Sequence, residues 1–318
     1  MGRYLLRRLV VAFLTIVVVM AALALLSAAT PGEPARAMLG PRATPQLIAQ
    51  VRTAMHLNDS VPEQVWLFMS EAARGNLGTD YINGIPVSDL VRDALLSTVV
   101  LALTSLALAI GLGVPLGVLA AARPGSLLDR VLGFFSVSLV SVPPFVIALL
   151  FVLLFSVRLG WLPASGDGSV SDPVGYVEHL LMPAIALAAG WVGYLARLVR
   201  ASMLEELASP YVRTARAFGL RDRLILYRYA LRNALIPVVA VLGIGLGTLF
   251  GGAVIVEFIF NRPGLGRLML EAIDQRDYLV VRGGALVIAL LFILSNLLAD
   301  LAYRFLDPRI DLTGSGSK

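Results

Sequence analysis

Eight arginines crowd into one polar stretch, RLVRASMLEELASPYVRTARAFGLRDRLILYRYALRNALIP, from Arg197 to Pro237. Within it Ser209 can cap and Pro210 can open a short helix, Tyr211 to Phe218, with Gly219 supplying the left-handed residue that ends it. Val212, Ala215 and Phe218 or Gly219 recur at three- and four-residue spacing, while Arg213 and Arg216 share another face. The result is a compact helix with small, apolar and cationic faces, followed by a second helix that starts near Asp222 and runs on into the fifth apolar stretch. Such a helix suits being pushed as a rigid body by a soluble partner, and it equally suits resting on anionic headgroups.

Other chemistry is thinly supplied. The 318 residues include 25 arginines but one lysine, Lys318, at the end of a tag-like Gly-Ser-Gly-Ser tail that is set aside from fold reasoning. A phosphate-binding loop needs its lysine on the nucleotide phosphates, so ATP hydrolysis by that machinery is excluded, as is a Schiff base. The absence of cysteine removes disulfides, thiolate nucleophiles and sulfur-ligated metals. His56 and His179 are the only histidines and stand far apart. No catalytic residue and no metal site is expected.

The elements that must position the arginine-rich stretch are apolar. Hydrophobic residues make up 58% of the chain and charged residues 15%, with a mean hydropathy of +0.83, far from the composition of soluble domains. Six apolar stretches are long enough to cross a bilayer: roughly Leu9 to Ala29, Leu96 to Ala120, Val131 to Val157, Leu180 to Val199, Ala234 to Phe258 and Gly284 to Phe305. The first is too long for a signal-peptide core and reads as a retained span. With a cytoplasmic N-terminus, the inside segments hold sixteen of the 26 basic and seven of the 21 acidic residues, a net +9 against −4 outside. The basic pI of 9.8 therefore reflects topology, with both termini inside, and not nucleic-acid binding.

Outside, the long segment after the first span should hold two short helices. Thr44 and Pro45 open one that runs to about His56, and Ser60 with Glu63 forms a capping box around Pro62 for another that Gly75 can end. It could serve as a mere cap or as a docking or gating surface. The stretch from Arg158 to Glu178, rich in glycine, serine, aspartate and proline, should be an irregular loop.

The segment Tyr211-Val-Arg-Thr-Ala-Arg-Ala-Phe-Gly219, with Ala230-Leu-Arg-Asn-Ala-Leu-Ile-Pro237, resembles the cytoplasmic E-A-A-x-x-x-G loop of bacterial ABC importer permeases, in the variant of the oligopeptide and dipeptide permease family. The likeness extends along the chain through Arg8-Leu9, Pro31-Gly-Glu-Pro-Ala35, Gly75-Asn-Leu-Gly78, Pro86-Val87, Ser141-Val-Pro-Pro-Phe145, Pro263-Gly-Leu-Gly-Arg-Leu268 and Asp307-Pro-Arg-Ile310. Arg213 and Thr214 replace the general motif's Glu and Ala, and Arg232 a proline, departures usual in the peptide subfamily. Asn76 replaces a more usual acidic residue at a local turn.

The resemblance implies an all-α integral membrane protein of six spans in the type I ABC importer permease fold. Residues 1–29 would form the first span, 30–93 an extracytoplasmic helical insertion, 94–310 a five-helix permease core with a cytoplasmic coupling loop at 200–233, and 311–318 a disordered tail. It further implies the first of two paired permease subunits, working with a second homologous permease, two cytoplasmic ATPase subunits that bind ATP and Mg, and an extracytoplasmic peptide-binding protein. Tyr211, Arg213, Thr214, Ala215, Arg216, Phe218 and Gly219 would form the helix that couples to one ATPase. The cargo would be short peptides, with nickel, glutathione or haem as alternatives in the same architecture. An ion-driven secondary transporter would need ionisable residues in mid-span, and these spans hold almost none.

For the pathway, Pro143, Pro144 and Pro183 should break or kink their spans, either for packing or as pivots of gating helices. The glycines at 243, 245, 247, 251 and 252 should permit close helix contact. Glu257 and Asn261 lie at the outer end of the fifth span. Glu257 can pair with Arg262 or Arg267, or line the outer mouth.

Overall fold

The computed structural model describes residues 2–29, 43–54, 58–80, 82–169 and 171–306. His56, the segment Pro31 to Ala35, the segment Asp307 to Ile310 and the tail at 311–318 lie outside the described residues. The helices, in chain order, are α1 (Gly2–Ala29), α2 (Pro45–Ala54), α3 (Val61–Ala72), α4 (Val87–Ala122), α5 (Leu127–Ser141), α6 (Pro144–Phe151), α7 (Pro173–Leu207), α8 (Pro210–Ala217), α9 (Asp222–Leu224), α10 (Leu231–Ala234), α11 (Ile236–Ile259), α12 (Leu265–Asp274) and α13 (Tyr278–Leu306). Among the described residues the only β feature is an isolated bridge between Thr79 and Pro86.

Among the described residues five helices are long and apolar enough to cross a membrane, and α5 with α6 and its continuation to Arg158, bent by 100°, pass the same test together. The break expected at Pro143 and Pro144 falls at this bend. The cause lies in Val142-Pro143-Pro144: a residue before proline is pushed out of the helical region, and Val142 is extended at φ −91° and ψ 121°. Pro143 and Pro144 then occupy the cap and first positions of α6, where a missing N–H costs nothing. Beyond Phe151 the helix continues in π form from Val152 to Arg158.

Two other boundaries differ from the sequence reading. The loop after Arg158 ends at Asp172, whose Oδ1 accepts the Gly175 N–H at 3.2 Å, so α7 begins at Pro173. Pro183 is buried inside α7, which runs through it without interruption. The two short helices of the first insertion do form. Thr44 Oγ1 accepts the Leu47 N–H at 3.3 Å, and the Glu63 carboxylate accepts from both the N–H and the hydroxyl of Ser60, at 2.9 and 2.7 Å. Asn76 keeps the local turn, because its Oδ1 accepts the Gly78 N–H at 3.0 Å as an aspartate would.

The chain divides into two compact units, residues 1–98 with 262–293, and residues 99–261 with 294–318. In the first, Val87, Val91, Ala94, Leu265, Ala272, Leu279 and Val280 form one apolar cluster, and Met20, Phe68 and Leu286 another. Buried polar contacts between remote segments accompany them. The Thr98 hydroxyl accepts the Leu265 N–H at 2.8 Å, and Arg282 donates to Gln64 Oε1 at 3.0 Å. Asp277 caps α13 by accepting the Leu279 and Val280 N–H groups. Burial, helped by a hydrogen bond with Asp80, pushes the Asp277 carboxyl from 3.8 up to about 7. Burial also acts to raise Asp80, but hydrogen bonds from Asp277, the Ile82 N–H and Asn83 outweigh it and leave that carboxyl below its ordinary value.

The second unit packs by shape. Its core joins Ala109, Val118 and Ala121 of α4 to Ala188, Val192, Leu195, Val199 and Met203 of α7, and to Ala230, Ala234 and Val238. Helices approach so closely that a Cβ on Gly117 would stand 2.6 Å from the Ala196 carbonyl oxygen, and one on Gly193 2.5 Å from that of Ser136. In α11, Gly243 abuts Ala299 and Gly245 abuts Trp191, whereas Gly251 has open space around it. Close contact therefore explains part of the α11 glycine run and leaves Gly251 without a packing role.

Candidate functional site

The segment between α7 and α11 holds the motif residues. Helix α8 spans Pro210–Ala217 with Ser209 at its cap position and proline at its start, and Gly219 turns the chain with φ +76°. The expected cap is made by backbone conformation alone: the Ser209 hydroxyl donates back to the Glu206 carbonyl at 2.6 Å. Val212 is fully buried and anchors the helix. Arg213, Thr214, Arg216 and Phe218 face outward, Phe218 with 80% of its surface exposed, and Ala215 is half-buried. The helix is small and strongly two-sided, with Phe218 and two arginines on its exposed face.

Three side chains tie α8 to both flanking helices. The Tyr211 hydroxyl donates to Glu206 Oε2, on α7, at 2.6 Å. Asn233 Nδ2, on α10, donates to the same carboxylate oxygen at 3.4 Å and to the Tyr211 hydroxyl oxygen at 3.2 Å. Burial, reinforced by donation to Glu206, pushes the Tyr211 hydroxyl above its ordinary pKa, so it keeps the proton it donates. Arg216 also reaches Asp222 on α9 at 3.3 Å, an exposed ion pair of small energetic weight. Sequence reading missed Glu206 and Asn233 as partners, because a contact across 27 residues leaves no trace in local spacing.

The connection from α9 to α11 departs from a single running helix. Ile225–Ala230 is π-helical, and the chain breaks at Leu235 before α11, since Pro237 lacks the N–H that would bond back one turn. Through these contacts α8 is joined to the end of the long helix α7 by Glu206 and, by Asn233, to the four-residue α10 that precedes α11.

The pathway candidates are dispersed within the second unit. Pro143 is exposed and Pro144 half-buried at the 100° bend, and Pro183 is buried in α7. Glu257 is fully buried. Asn261 takes φ +51° immediately after α11, and Gly166 N–H donates to the neighbouring Phe260 carbonyl at 2.8 Å, so Asn261 does the work of a left-handed helix terminator. Arg267, one proposed partner of Glu257, is paired with Glu271 at 2.6 Å.

The family described as the binding-protein-dependent transport system inner membrane component matches residues 113–312, and that family's N-terminal membrane component matches residues 1–102. The chain belongs to this permease family. It is therefore a multi-pass inner-membrane component of a transport system that depends on a binding protein. The permease is 40% identical over 311 residues to a probable peptide ABC transporter permease protein of Sinorhizobium fredii, covering 98% of this chain and 99% of that one. It is 38% identical to the dipeptide transport system permease protein of Alkalihalophilus pseudofirmus, over 88% of this chain and 90% of that one. With the glutathione transport system permease protein of Escherichia coli the identity is 36%, over 98% and 99%. Among solved structures, the permease shares a fold with a chain of an inward-facing methionine ABC transporter, at TM-score 0.54 and 20% identity, covering 68% of this chain and 96% of that one.

Proposed function

We propose that this permease imports short peptides as the first of two paired, non-identical membrane subunits. Energy comes from two cytoplasmic ATPase subunits that bind ATP and Mg, and this chain carries out no chemistry. The observation that carries the reading is α8, hung from α7 and α10 by the Tyr211, Glu206 and Asn233 contacts and presenting Arg213, Thr214, Arg216 and Phe218 outward. Seated in a groove of one ATPase, it is pushed when the ATPase pair closes on ATP. The push passes to the ends of two spans, which rock from inward-facing to outward-facing.

Charge asymmetry supports cytoplasmic N- and C-termini, with α8 on the cytoplasmic side and the α2 and α3 helices on the outer face, available to the binding protein. Relatives named for peptide and dipeptide transport support peptide cargo. Glutathione, itself a small peptide, is the second reading, supported by relatives named for its transport at 36% identity. Uptake of labelled dipeptides, longer peptides and glutathione in a strain lacking this gene and in the complemented strain separates them, and unchanged import of all three defeats the assignment. Gly219→Pro and Ala215→Arg should uncouple ATP hydrolysis from uptake, leaving the protein in the membrane but cutting transport per ATP at least roughly tenfold, about 1.4 kcal/mol of coupling.

A further inference from the structure

Helices α5 and α7 meet tightly where Gly193 lies against the Ser136 backbone. Between them lies an open groove of about 730 Å³, lined by Arg130, Gly133 and Val137 of α5 and by Tyr194, Arg197 and Arg200 of α7. An ion pair is part of the lining. Arg200 Nη2 donates to Asp129 Oδ2 at 2.8 Å and its Nε to Oδ1, and the Gly125 N–H also donates to Oδ2, at 2.9 Å. Both oxygens of the only carboxylate in the groove are thereby occupied, and Arg130 and Arg197 stay exposed. Tyr194 is 41% exposed beside them.

The same face of α5 is apolar and open. Leu127, Phe134 and Val137 are 78%, 70% and 49% exposed. Two exposed guanidinium groups and a hydroxyl beside one ion pair, continuous with an apolar face one to two turns along, match a phosphodiester joined to acyl chains. A soluble phosphate uses only the polar half of such a groove. A zwitterionic lipid brings its own cation against two arginines, whereas an anionic headgroup does not.

We infer that the groove between α5 and α7 is a binding site for one anionic phospholipid, with its phosphate on Arg130 and Arg197 and its acyl chains along Phe134 and Val137. The site lies in the leaflet nearest the ATPases, a placement that rests on the proposed topology. A lipid there bridges α5 and α7 beside the Glu206 end of α7, and so sits where the coupling motion passes.

The test uses the whole transporter, purified in detergent, stripped of lipid and examined by native mass spectrometry after adding phosphatidylglycerol, phosphatidylcholine or inorganic phosphate. Phosphatidylglycerol should be retained about tenfold or more over phosphatidylcholine, because each exposed arginine attracts an anionic headgroup. The Arg130→Gln/Arg197→Gln double variant should bring the two lipids close to parity, and Arg158→Gln should not. Equal retention in the unaltered protein, an unchanged preference in the double variant, or competition by phosphate alone would overturn the site. So would a cross-link from Val137→Cys, in a chain with no other cysteine, to the second permease subunit. Lipid retention is read without transport, so its failure leaves the import reading to stand or fall on uptake.

Discussion

The two units reach stability by different means. The second leans mainly on close approach, with Gly117 and Gly193 taking neighbouring backbones within a distance that admits no side chain, beside one long-range ion pair, Asp129 with Arg200, and its coupling contacts gather at one end. The first is stitched by buried polar contacts between segments as far apart as Gln64 and Arg282. Where packing decides, tolerance is set by volume; where polar partners decide, loss of one partner strands the other. The unit made by stitching should therefore answer to polar substitution and to pH, and the unit made by packing to added methyl groups.

The largest effect expected is from Gln64→Leu, which strips the acceptor from the buried Arg282 at a cost of about 3 kcal/mol. Thermal unfolding in detergent, with hydrogen exchange located to α3, reads it; a shift confined to the second unit would break the contrast. Gly117→Ala comes next. Its methyl meets a backbone oxygen that cannot swing aside, and the overpacking, less the gain in helix propensity, should cost about 1 to 2 kcal/mol. Here the loss of protection should fall on α4 and α7.

A pH series sharpens the comparison further. Folded Asp277 keeps its proton up to about pH 7, while the unfolded chain releases it near 3.8. Between those values the folded state binds more protons, so this stabilisation is full below pH 3.8 and is lost as pH rises through 7. Asp80, held below its ordinary value, acts in the opposite sense and only at the acid end. The melting temperature should fall from pH 5 to pH 8, and Asp277→Asn, which retains the α13 cap acceptor, should flatten the slope. The smallest effect belongs to Arg216→Ala, where loss of the exposed pair with Asp222 should change stability by less than about 0.5 kcal/mol.

What the sequence made legible was local. Pro210 and Gly219 bound α8, Ser60 and Glu63 start α3, and the tandem prolines mark the bend, each because a backbone rule acts within a few residues. The Ser209 hydroxyl departs from its rule: it donates to the Glu206 carbonyl at the end of α7 and accepts no N–H from the start of α8. Partnerships across long separations, such as Glu206 with Asn233 and Asp129 with Arg200, were invisible because only folding brings them together. The π-helical turns at Val152–Arg158 and Ile225–Ala230 had no composition to announce them.

The bend at Val142 has a mechanical meaning. The Val142 N–H bonds back to Ser138, and α6 is tied forward to the Pro143 carbonyl, but neither proline carries an N–H to bind the two arms together. Ring closure locks φ at both prolines, leaving both angles of Val142 and the ψ of Pro143 as the principal soft torsions between the arms. A joint with so few free torsions is restricted in the directions it can take.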